Sequence, residues 1–291
     1  MLRHVSAALA LLSSLLWGTS DFLGGTAARR LPVPSVIGVS QLVALLGLVP
    51  LAAALGALDE PRDYVVPGVL AGLAGVGALA CFYRALAIGT MGIVAPVAAL
   101  GVVVPVLAGR LSGETPSALQ VAGIAVAVVG VVLASGPELS GEGRGGATAL
   151  VLAAASALGF GVVFVLLAEG SGGEDGTIGA VVMTLLTMRL TSVVVLTALL
   201  LATARSRGWE LGVRRPDLLL LVTVGVFDVG ANGAFAVASQ GDLISVTAVL
   251  ASLYPVITAL LARQFHAERL RGIQLVGVGA ALLGVVLLAG G

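Results

Sequence analysis

Residues 65–87 of this chain read VVPGVLAGLAGVGALACFYRALA, a run of 23 residues in which Arg84 is the only charged side chain. A helix of roughly 20 residues crosses the hydrocarbon core of a bilayer, which is about 30 Å thick. Lipid offers the backbone no hydrogen-bond partner, so such a run must satisfy its own N–H and C=O groups, and a helix does this. The stretch therefore predicts a transmembrane helix.

The same pattern recurs along the whole chain, which is 58% hydrophobic and only 10% charged. A soluble domain is typically about 25% charged. The ten predicted spans, numbered in chain order, are 5–25, 36–57, 65–87, 92–109, 118–135, 147–168, 178–203, 217–238, 243–263 and 272–290. We interpret the first run as a span and not as a cleaved signal peptide, because it continues to about Leu23 and similar runs follow. These runs predict an all-α integral membrane protein with ten transmembrane helices.

Charge and cysteine content exclude several classes of protein. The formal net charge is zero, all 15 basic residues are arginine, and no basic block of the kind that binds nucleic acid is present. Cys81 is the single cysteine, so the chain holds neither an internal disulfide framework nor a multi-cysteine metal site. His4 and His266 lie far apart. We therefore expect no nucleic-acid partner, no metal site and no cofactor.

The two halves of the chain resemble each other. Pro105 aligns with Pro255 at an offset of 150 residues, and Trp17-Gly18 aligns with Phe160-Gly161 at an offset of 143. The polar, glycine-rich stretch 136–146 lies between the halves, which predicts one repeat over residues 1–138 and a second over residues 139–291. Five spans are an odd number, so the second repeat must enter the membrane from the opposite side. Two inverted five-helix repeats around a central cavity are the architecture of many secondary transporters.

Several motifs resemble those of one family. Residues 16–25, LWGTSDFLGG, resemble the opening of EamA-type proteins in the drug/metabolite transporter superfamily. Residues 82–89, FYRALAIG, are similar to that family's segment at the end of span three. Pro105 with Gly113-Glu114, and Pro255 with Glu268, resemble its closing motif in spans four and nine. The resemblance implies a ten-helix fold and the export or exchange of small metabolites, often amino acids or related compounds.

The sequence also departs from the family pattern. The family often carries an arginine in span two, where this chain has Gln41, and Arg189 holds the equivalent place in span seven.

Two indications of the orientation of the chain in the membrane disagree with each other. On the side that holds the termini the loops carry three arginines against ten on the other, which places the termini outside. The resemblance implies cytoplasmic termini.

Three charged residues lie deep within predicted spans: Asp21 towards the end of span one, Arg189 in the middle of span seven and Asp228 in the middle of span eight. A charge at the bilayer centre costs about 2.5–3.5 kcal/mol on insertion scales, so each needs a physical reason. Arg189 is positioned either to attract a substrate carboxylate or to pair with Asp228. That pair either lines a polar cavity or only ties spans seven and eight together. Asp21 lies either in the cavity or at headgroup level.

Other candidates share helix faces with these charges. Asn232 and Phe235 follow Asp228 at i+4 and i+7, and Ser14 and Trp17 share a face with Asp21. The full set of predicted cavity residues is Ser14, Trp17, Asp21, Tyr83, Phe160, Arg189, Asp228, Asn232, Phe235, Thr247 and Tyr254. Ordinary helix packing explains the aromatic and hydroxyl residues equally well. The small-residue pair Gly68/Gly72 predicts close helix packing or, alternatively, a homodimer seam.

The leading hypothesis is a secondary carrier that exports a small metabolite by alternating access, with Asp21 or Asp228 as the site of coupling to protons. We expect a multi-pass protein of the cell membrane, the inner (plasma) membrane of a bacterium, with a small molecule and the lipid bilayer as its partners. One rival is a non-transporting scaffold, which predicts an occluded apolar centre. The other is an intramembrane enzyme on lipid-linked substrates, but no His pair, Cys/His pair or phosphate-cradling motif is present.

Overall fold

The structure is a computed structural model that describes residues 2–113, 117–134, 146–172, 176–207, 212–241, 244–266 and 272–289. All regular secondary structure in these ranges is helical. The helices are α1 (Leu2–Ala28), α2 (Val33–Ala54), α3 (Val65–Ile88), α4 (Met91–Ala99), α5 (Val103–Leu111), α6 (Ala118–Ala134), α7 (Gly146–Gly170), α8 (Ile178–Arg207), α9 (Arg215–Gln240), α10 (Ile244–Ala251), α11 (Tyr254–His266) and α12 (Gly272–Ala289). Short 3₁₀ turns cover Ala57–Asp59, Arg62–Tyr64 and Leu100–Val102.

Most of these helices are membrane spans. In the described ranges, eight helical segments are long and apolar enough to cross a bilayer, when α4–α5 and α10–α11 are each counted as one. The prediction of an all-helical, multi-pass membrane protein is therefore confirmed. Helices α6 and α12, with 17 and 18 residues, lie where spans five and ten are predicted.

Apolar side chains on the outside of the bundle fit this membrane location. Leu46 in α2 is 63% exposed, Val151 in α7 is 67% exposed and Leu219 in α9 is 77% exposed. Water would penalise such a surface, whereas lipid tails are as apolar as these side chains. The outer face of the helices is therefore suited to lipid.

The predicted bounds of span two, 36–57, are wrong by three residues at each end. Helix α2 begins at Val33, with Pro34 in its first turn, where the fixed backbone of proline suits a helix and its missing N–H costs nothing. It ends at Ala54, and Gly56 then adopts a left-handed conformation with φ of 64°. Glycine tolerates this conformation because it has no Cβ, so the chain turns before the apolar run has ended.

Spans four and nine are each one helical segment, as predicted, but the regular α-helical turn is interrupted in the middle of each. Helix α4 ends at Ala99 and α5 begins at Val103, while α10 ends at Ala251 and α11 begins at Tyr254. Pro105 and Pro255 lie in the first turn of α5 and α11, and neither has an N–H to bond back to the preceding turn. With the offset of 150 residues found in the sequence, the two breaks fall at equivalent positions.

Equivalent glycines in the two halves make equivalent contacts. Gly18 of α1 lies against Ile257 and the carbonyl of Tyr254 in the second half of span nine. Its repeat partner, Gly161 of α7, lies against the carbonyl of Gly101 and the side chain of Val104 in span four. In both places the absence of a Cβ lets the backbones approach closely. The pseudo-symmetry seen in the sequence is thus also present in the packing.

A second pair of crossings repeats the same relationship. Gly75 of α3 faces Met188 of α8, and Gly225 of α9 lies on the backbone of Ser40 in α2. Gly68 and Gly72 of α3 also pack against α8, which confirms the predicted close helix packing. These two glycines face their own chain, so a homodimer would need another surface.

Contacts at the two ends of the bundle show how the helices alternate. At the end where α1 begins, Thr177 donates a hydrogen bond to Glu60 (2.6 Å), and Gln240 donates to the carbonyl of Ser171 (2.7 Å). At the end where α1 finishes, Arg30 forms an ion pair with Asp217 at the start of α9 (3.1 Å). Consecutive helices in these parts of the chain therefore run antiparallel.

Candidate functional site

A cavity lies between helices of both halves, near the middle of the predicted spans. Its interior leaves about 40 Å³ that the centre of a water-sized sphere can occupy. The lining residues are Trp17, Asp21, Gly75, Leu79, Ala98, Ala99, Phe160, Val163, Phe164, Met188, Arg189, Asp228, Asn232 and Tyr254. Most of the wall is apolar, and the charged groups are confined to three side chains. This is the usual composition of a small-molecule site.

The helix breaks of spans four and nine reach this cavity. Ala98 and Ala99 end α4, and Tyr254 begins α11, and all three line the wall. Irregular backbone at membrane depth is tolerated where it is buried in protein or lines a cavity. Broken helices of this kind form the substrate site in many transporter folds.

Arg189 is the centre of a buried polar cluster. Its side chain is 1% exposed, and Nη1 donates a hydrogen bond of 2.6 Å to Oε1 of Gln41. Nη2 lies 2.9 Å from Oδ2 of Asp228, an ion pair that lacks hydrogen-bond alignment, and Nε has no hydrogen-bond partner in the described part of the chain. The predicted pairing of Arg189 with Asp228 is therefore present, and both residues also line the cavity.

Asp228 has two further polar neighbours. Nδ2 of Asn232 donates to Oδ1 of Asp228 at 3.1 Å, and Nε2 of Gln41 donates to its Oδ2 at 3.4 Å. The i+4 spacing places Asn232 one turn after Asp228, so the two side chains meet on one face of α9. The charge of Asp228 is thus balanced and hydrogen-bonded within the protein.

Asp21 and Tyr254 lack the polar partners that Arg189 and Asp228 have. The Asp21 side chain lines the cavity, is 7% exposed as a residue, and makes neither a hydrogen bond nor an ion pair with the other described residues. The buried hydroxyl of Tyr254 also lacks a hydrogen-bond partner in the described ranges. An unpaired buried carboxylate or hydroxyl is costly, so these two groups are available to something in the cavity.

Aromatic rings form the remaining specific feature. Trp17 packs against Phe164 with ring centroids 5.2 Å apart, and Phe235 packs behind both, at 5.9 Å from Trp17 and 4.8 Å from Phe164. Phe160 meets Phe82 edge to face at 5.4 Å. These distances are within the range of favourable aromatic pairs. The rings join α1, α7 and α9 at one side of the cavity.

Comparison with known proteins decides the family. A model of the EamA-like transporter family matches residues 4–136 and, a second time, residues 147–290. The chain belongs to this family. The chain is also similar to a solved structure named "Crystal structure of protein". The match covers 97% of this chain and 95% of that chain, at 19% sequence identity and a TM-score of 0.69, which shows a shared fold. No curated protein matches the sequence.

Seven of the predicted cavity residues line the cavity of this EamA-family protein. They are Trp17, Asp21, Phe160, Arg189, Asp228, Asn232 and Tyr254. The expectation that Asp21 lies in the cavity, and not at headgroup level, agrees with its burial. Whether these residues bind a substrate stays a prediction.

The other four predicted residues lie outside the wall. Phe235 is completely buried behind Trp17, and Tyr83 packs on Gly24 of α1. Ser14 and Thr247 are buried but do not line the cavity. Tyr254, seven residues after Thr247, does line the cavity, and residues 252–253 between them form a turn.

The sequence carried signals for two further residues of the site. Gln41 departs from the family pattern, and a glutamine in the middle of an apolar span needs a buried partner, which Arg189 supplies. Phe164 follows Phe160 at i+4 and therefore shares its helix face. Within the described ranges, no group of three or more metal-ligating side chains occurs.

Proposed function

We propose that this protein is a secondary transporter that carries a small metabolite, an amino acid or a related compound, across the membrane. The observation that carries the proposal is the cavity of mixed polarity at membrane depth, in which Asp21 and Tyr254 lack partners among the described residues. A charged or polar side chain in an apolar interior lowers the stability of the fold, so its presence there needs a physical reason. Binding of a polar ligand is such a reason. Export is the direction we propose.

The mechanism we propose is alternating access by two inverted repeats, residues 1–138 and residues 139–291. All ten helical segments would cross the membrane, with α6 and α12 as spans five and ten. Gly18 of the first half contacts span nine, and its equivalent in the second half, Gly161, contacts span four. These paired contacts support the proposal, because each half packs against the other through the same helices. Rocking of one repeat against the other would then open the cavity to each side in turn.

Coupling to protons is part of the proposal, with Asp21 and Asp228 as the candidates. The two carboxylates differ in their surroundings, since Asp228 pairs with Arg189 and Asp21 has no counter-cation in the described residues. A proton that enters the cavity would meet Asp21 as the group whose charge is uncompensated. We also propose the inner (plasma) membrane of a bacterium as the location.

The scaffold alternative predicts an apolar, occluded centre in which every charge is paired. Arg189 and Asp228 do pair, but the cavity beside them is lined by a third charge, Asp21. A purely structural cluster has no need of this residue, so the cavity favours a carrier. No observation favours the intramembrane enzyme.

Counterflow in proteoliposomes tests the proposal. Liposomes that contain the purified protein are loaded with a pool of amino acids and related metabolites and then challenged with each labelled compound, with and without a pH gradient. We expect saturable uptake of one chemical class that falls at least tenfold in Arg189→Ala and Asp228→Asn. Asp63→Asn, in the exposed 3₁₀ turn before α3, is the matched control and keeps wild-type uptake.

The outcomes separate the alternatives. No uptake across a broad panel by protein that is shown to be folded would contradict the carrier and favour the scaffold. Proton coupling would be contradicted if the rate of uptake does not depend on the pH gradient in the wild type, in Asp21→Asn or in Asp228→Asn. The carrier function itself would then still stand.

A further inference from the structure

The charges that face the cavity do not balance. Asp21, Arg189 and Asp228 line it, so two carboxylates stand against one guanidinium. The Arg189 charge is already compensated by Asp228, 2.9 Å away, and one of its N–H groups is taken by Gln41. With all three groups ionised, the site carries one uncompensated negative charge, and it belongs to Asp21.

This arrangement disfavours a ligand carboxylate at Arg189. Such a group would have to displace Asp228 from its ion pair and from its hydrogen bond with Asn232, which would leave a second buried carboxylate without a partner. Removing one partner of a buried ion pair is strongly destabilising, because it leaves an uncompensated buried charge. The anion would also approach Asp21. A cation meets neither obstacle.

The hydroxyl of Tyr254 is an independent sign of a ligand. It is buried, lines the same cavity, and has no hydrogen-bond partner in the described ranges. Asp21 lines this cavity as well. A phenolic oxygen can accept a hydrogen bond from an N–H donor. A group with several N–H donors and a positive charge would therefore satisfy the carboxylate and the hydroxyl together.

The rest of the wall fits a cation with an apolar body. Trp17, Phe160 and Phe164 present aromatic rings to the cavity. Ring faces attract ammonium groups, Trp more strongly than Phe, and the attraction is greater when the cation is desolvated. Leu79, Val163 and Met188 supply apolar surface for the remainder of a small ligand.

We propose that the ligand of this cavity is a small organic cation, a protonated amine with an apolar body, whose ammonium group pairs with Asp21 and donates a hydrogen bond to Tyr254. This inference rests on the proposed transport function and narrows its substrate class. Among compounds related to amino acids, it selects amines that lack a carboxylate. The apolar body lies against the Trp17 and Phe164 rings.

Binding is the direct test. In an uptake assay, the neutral form of an amine also crosses the bilayer by passive diffusion, so uptake would not report on the protein alone. Trp17 lies in the wall and reports binding through its fluorescence once Trp209, which lies outside the described residues, is replaced in Trp209→Phe. The probes are phenethylamine, 3-phenylpropionate and phenylalanine, which share an aromatic body. They carry an ammonium group, a carboxylate and both groups respectively.

We expect saturable binding of phenethylamine at least tenfold tighter than that of 3-phenylpropionate or phenylalanine. Asp21→Asn should weaken phenethylamine binding at least tenfold and leave 3-phenylpropionate binding unweakened. Tyr254→Phe, which removes only the hydroxyl, should weaken phenethylamine binding several-fold. Asp63→Asn is again the control for loss of a carboxylate far from the cavity and should bind phenethylamine like the wild type.

Several results would overturn the inference. Tighter binding of 3-phenylpropionate or phenylalanine would show that the site recognises a carboxylate. Unchanged phenethylamine binding in Asp21→Asn would show that the ammonium group does not pair there. The counterflow assay distinguishes a failure of the proposed cation site from a failure of the proposed transport function. A carrier whose substrate is an anion disproves the cation site alone, whereas amine binding without any counterflow disproves the carrier alone.

Discussion

Arg189 in α8 and Gln41 in α2 meet inside the bundle, where Nη1 of the arginine donates a 2.6 Å hydrogen bond to Oε1 of the glutamine. The two residues hold equivalent places in the two halves of the chain. The hydrogen bond therefore joins the two halves, with one group from each. A movement of one half against the other would act on this hydrogen bond directly.

The Arg189–Asp228 pair should behave as a unit in unfolding experiments. Arg189→Gln or Asp228→Asn alone leaves one buried charge uncompensated, and such a loss typically costs about 3–5 kcal/mol. The double variant removes both charges, so we expect its free energy of unfolding to fall by less than the sum of the single effects. Titration with denaturing detergent in mixed micelles measures the three values. Additive losses would show that the two charges do not interact.

Gln41 should be needed as an acceptor. Gln41→Leu leaves Nη1 of Arg189 without its hydrogen bond, and an unsatisfied buried donor costs about 1–3 kcal/mol, more when it is charged. Gln41→Glu keeps an acceptor oxygen in place but sets its second oxygen against Oδ2 of Asp228, so we expect this variant to retain more stability than Gln41→Leu at acidic pH, where the two carboxyl groups share a proton. The same unfolding titration checks the order. If Gln41→Leu is as stable as the wild type, the hydrogen bond contributes nothing.

Gly18 should not tolerate a side chain. A Cβ at this position would lie 2.5 Å from Cβ of Ile257 and 2.6 Å from the carbonyl oxygen of Tyr254, so α1 and α11 would have to separate. Overpacking of this kind typically costs 1–3 kcal/mol. The matched control is Gly77→Ala in α3, where a Cβ meets nothing within 4 Å. We expect Gly18→Ala to lower the thermal unfolding temperature and Gly77→Ala to leave it unchanged or raise it.

Asp217 should act mainly as a helix cap. Its Oδ2 accepts a 3.0 Å hydrogen bond from the backbone N–H of Arg214, while its ion-pair partner Arg30 is 58% exposed. Exposed ion pairs contribute about 0–1 kcal/mol, and loss of a cap costs about 1 kcal/mol. Asp217→Asn keeps the accepting oxygen, whereas Asp217→Ala removes it. Thermal unfolding should rank Asp217→Ala below Asp217→Asn, and equal losses would assign the stability to the ion pair.

The sequence predicts the helices well because the bilayer imposes a strong constraint on them. A span must be long, apolar and internally hydrogen-bonded, so its position can be read from hydropathy alone. The interruptions in the middle of spans four and nine could not be located from Pro105 and Pro255. A proline disturbs only its own neighbourhood, and whether the helix bends or stops depends on the packing around it.

The candidate site is predictable where a residue is costly in lipid. Arg189, Asp228 and Asp21 stand out because each is a charge at membrane depth. Tyr83 and Phe235 do not face the cavity, since an aromatic side chain serves helix packing equally well and its sequence position does not tell the two uses apart. The pairing of Arg189 with both Gln41 and Asp228 depends on the crossing of three helices, which no local pattern specifies.

Alternating access at the cavity is the central claim, and cysteine accessibility from both sides of the membrane tests it most directly. Ala99→Cys, in a Cys81→Ala background, places a thiol in the wall. Ala236→Cys is the matched control, because Ala236 is fully buried and lies outside the wall. A membrane-impermeant maleimide is applied to right-side-out and to inside-out vesicles. We predict that Ala99→Cys is labelled in both preparations and Ala236→Cys in neither. Labelling of Ala99→Cys from one side only, or from neither, would contradict a cavity that opens to each side in turn.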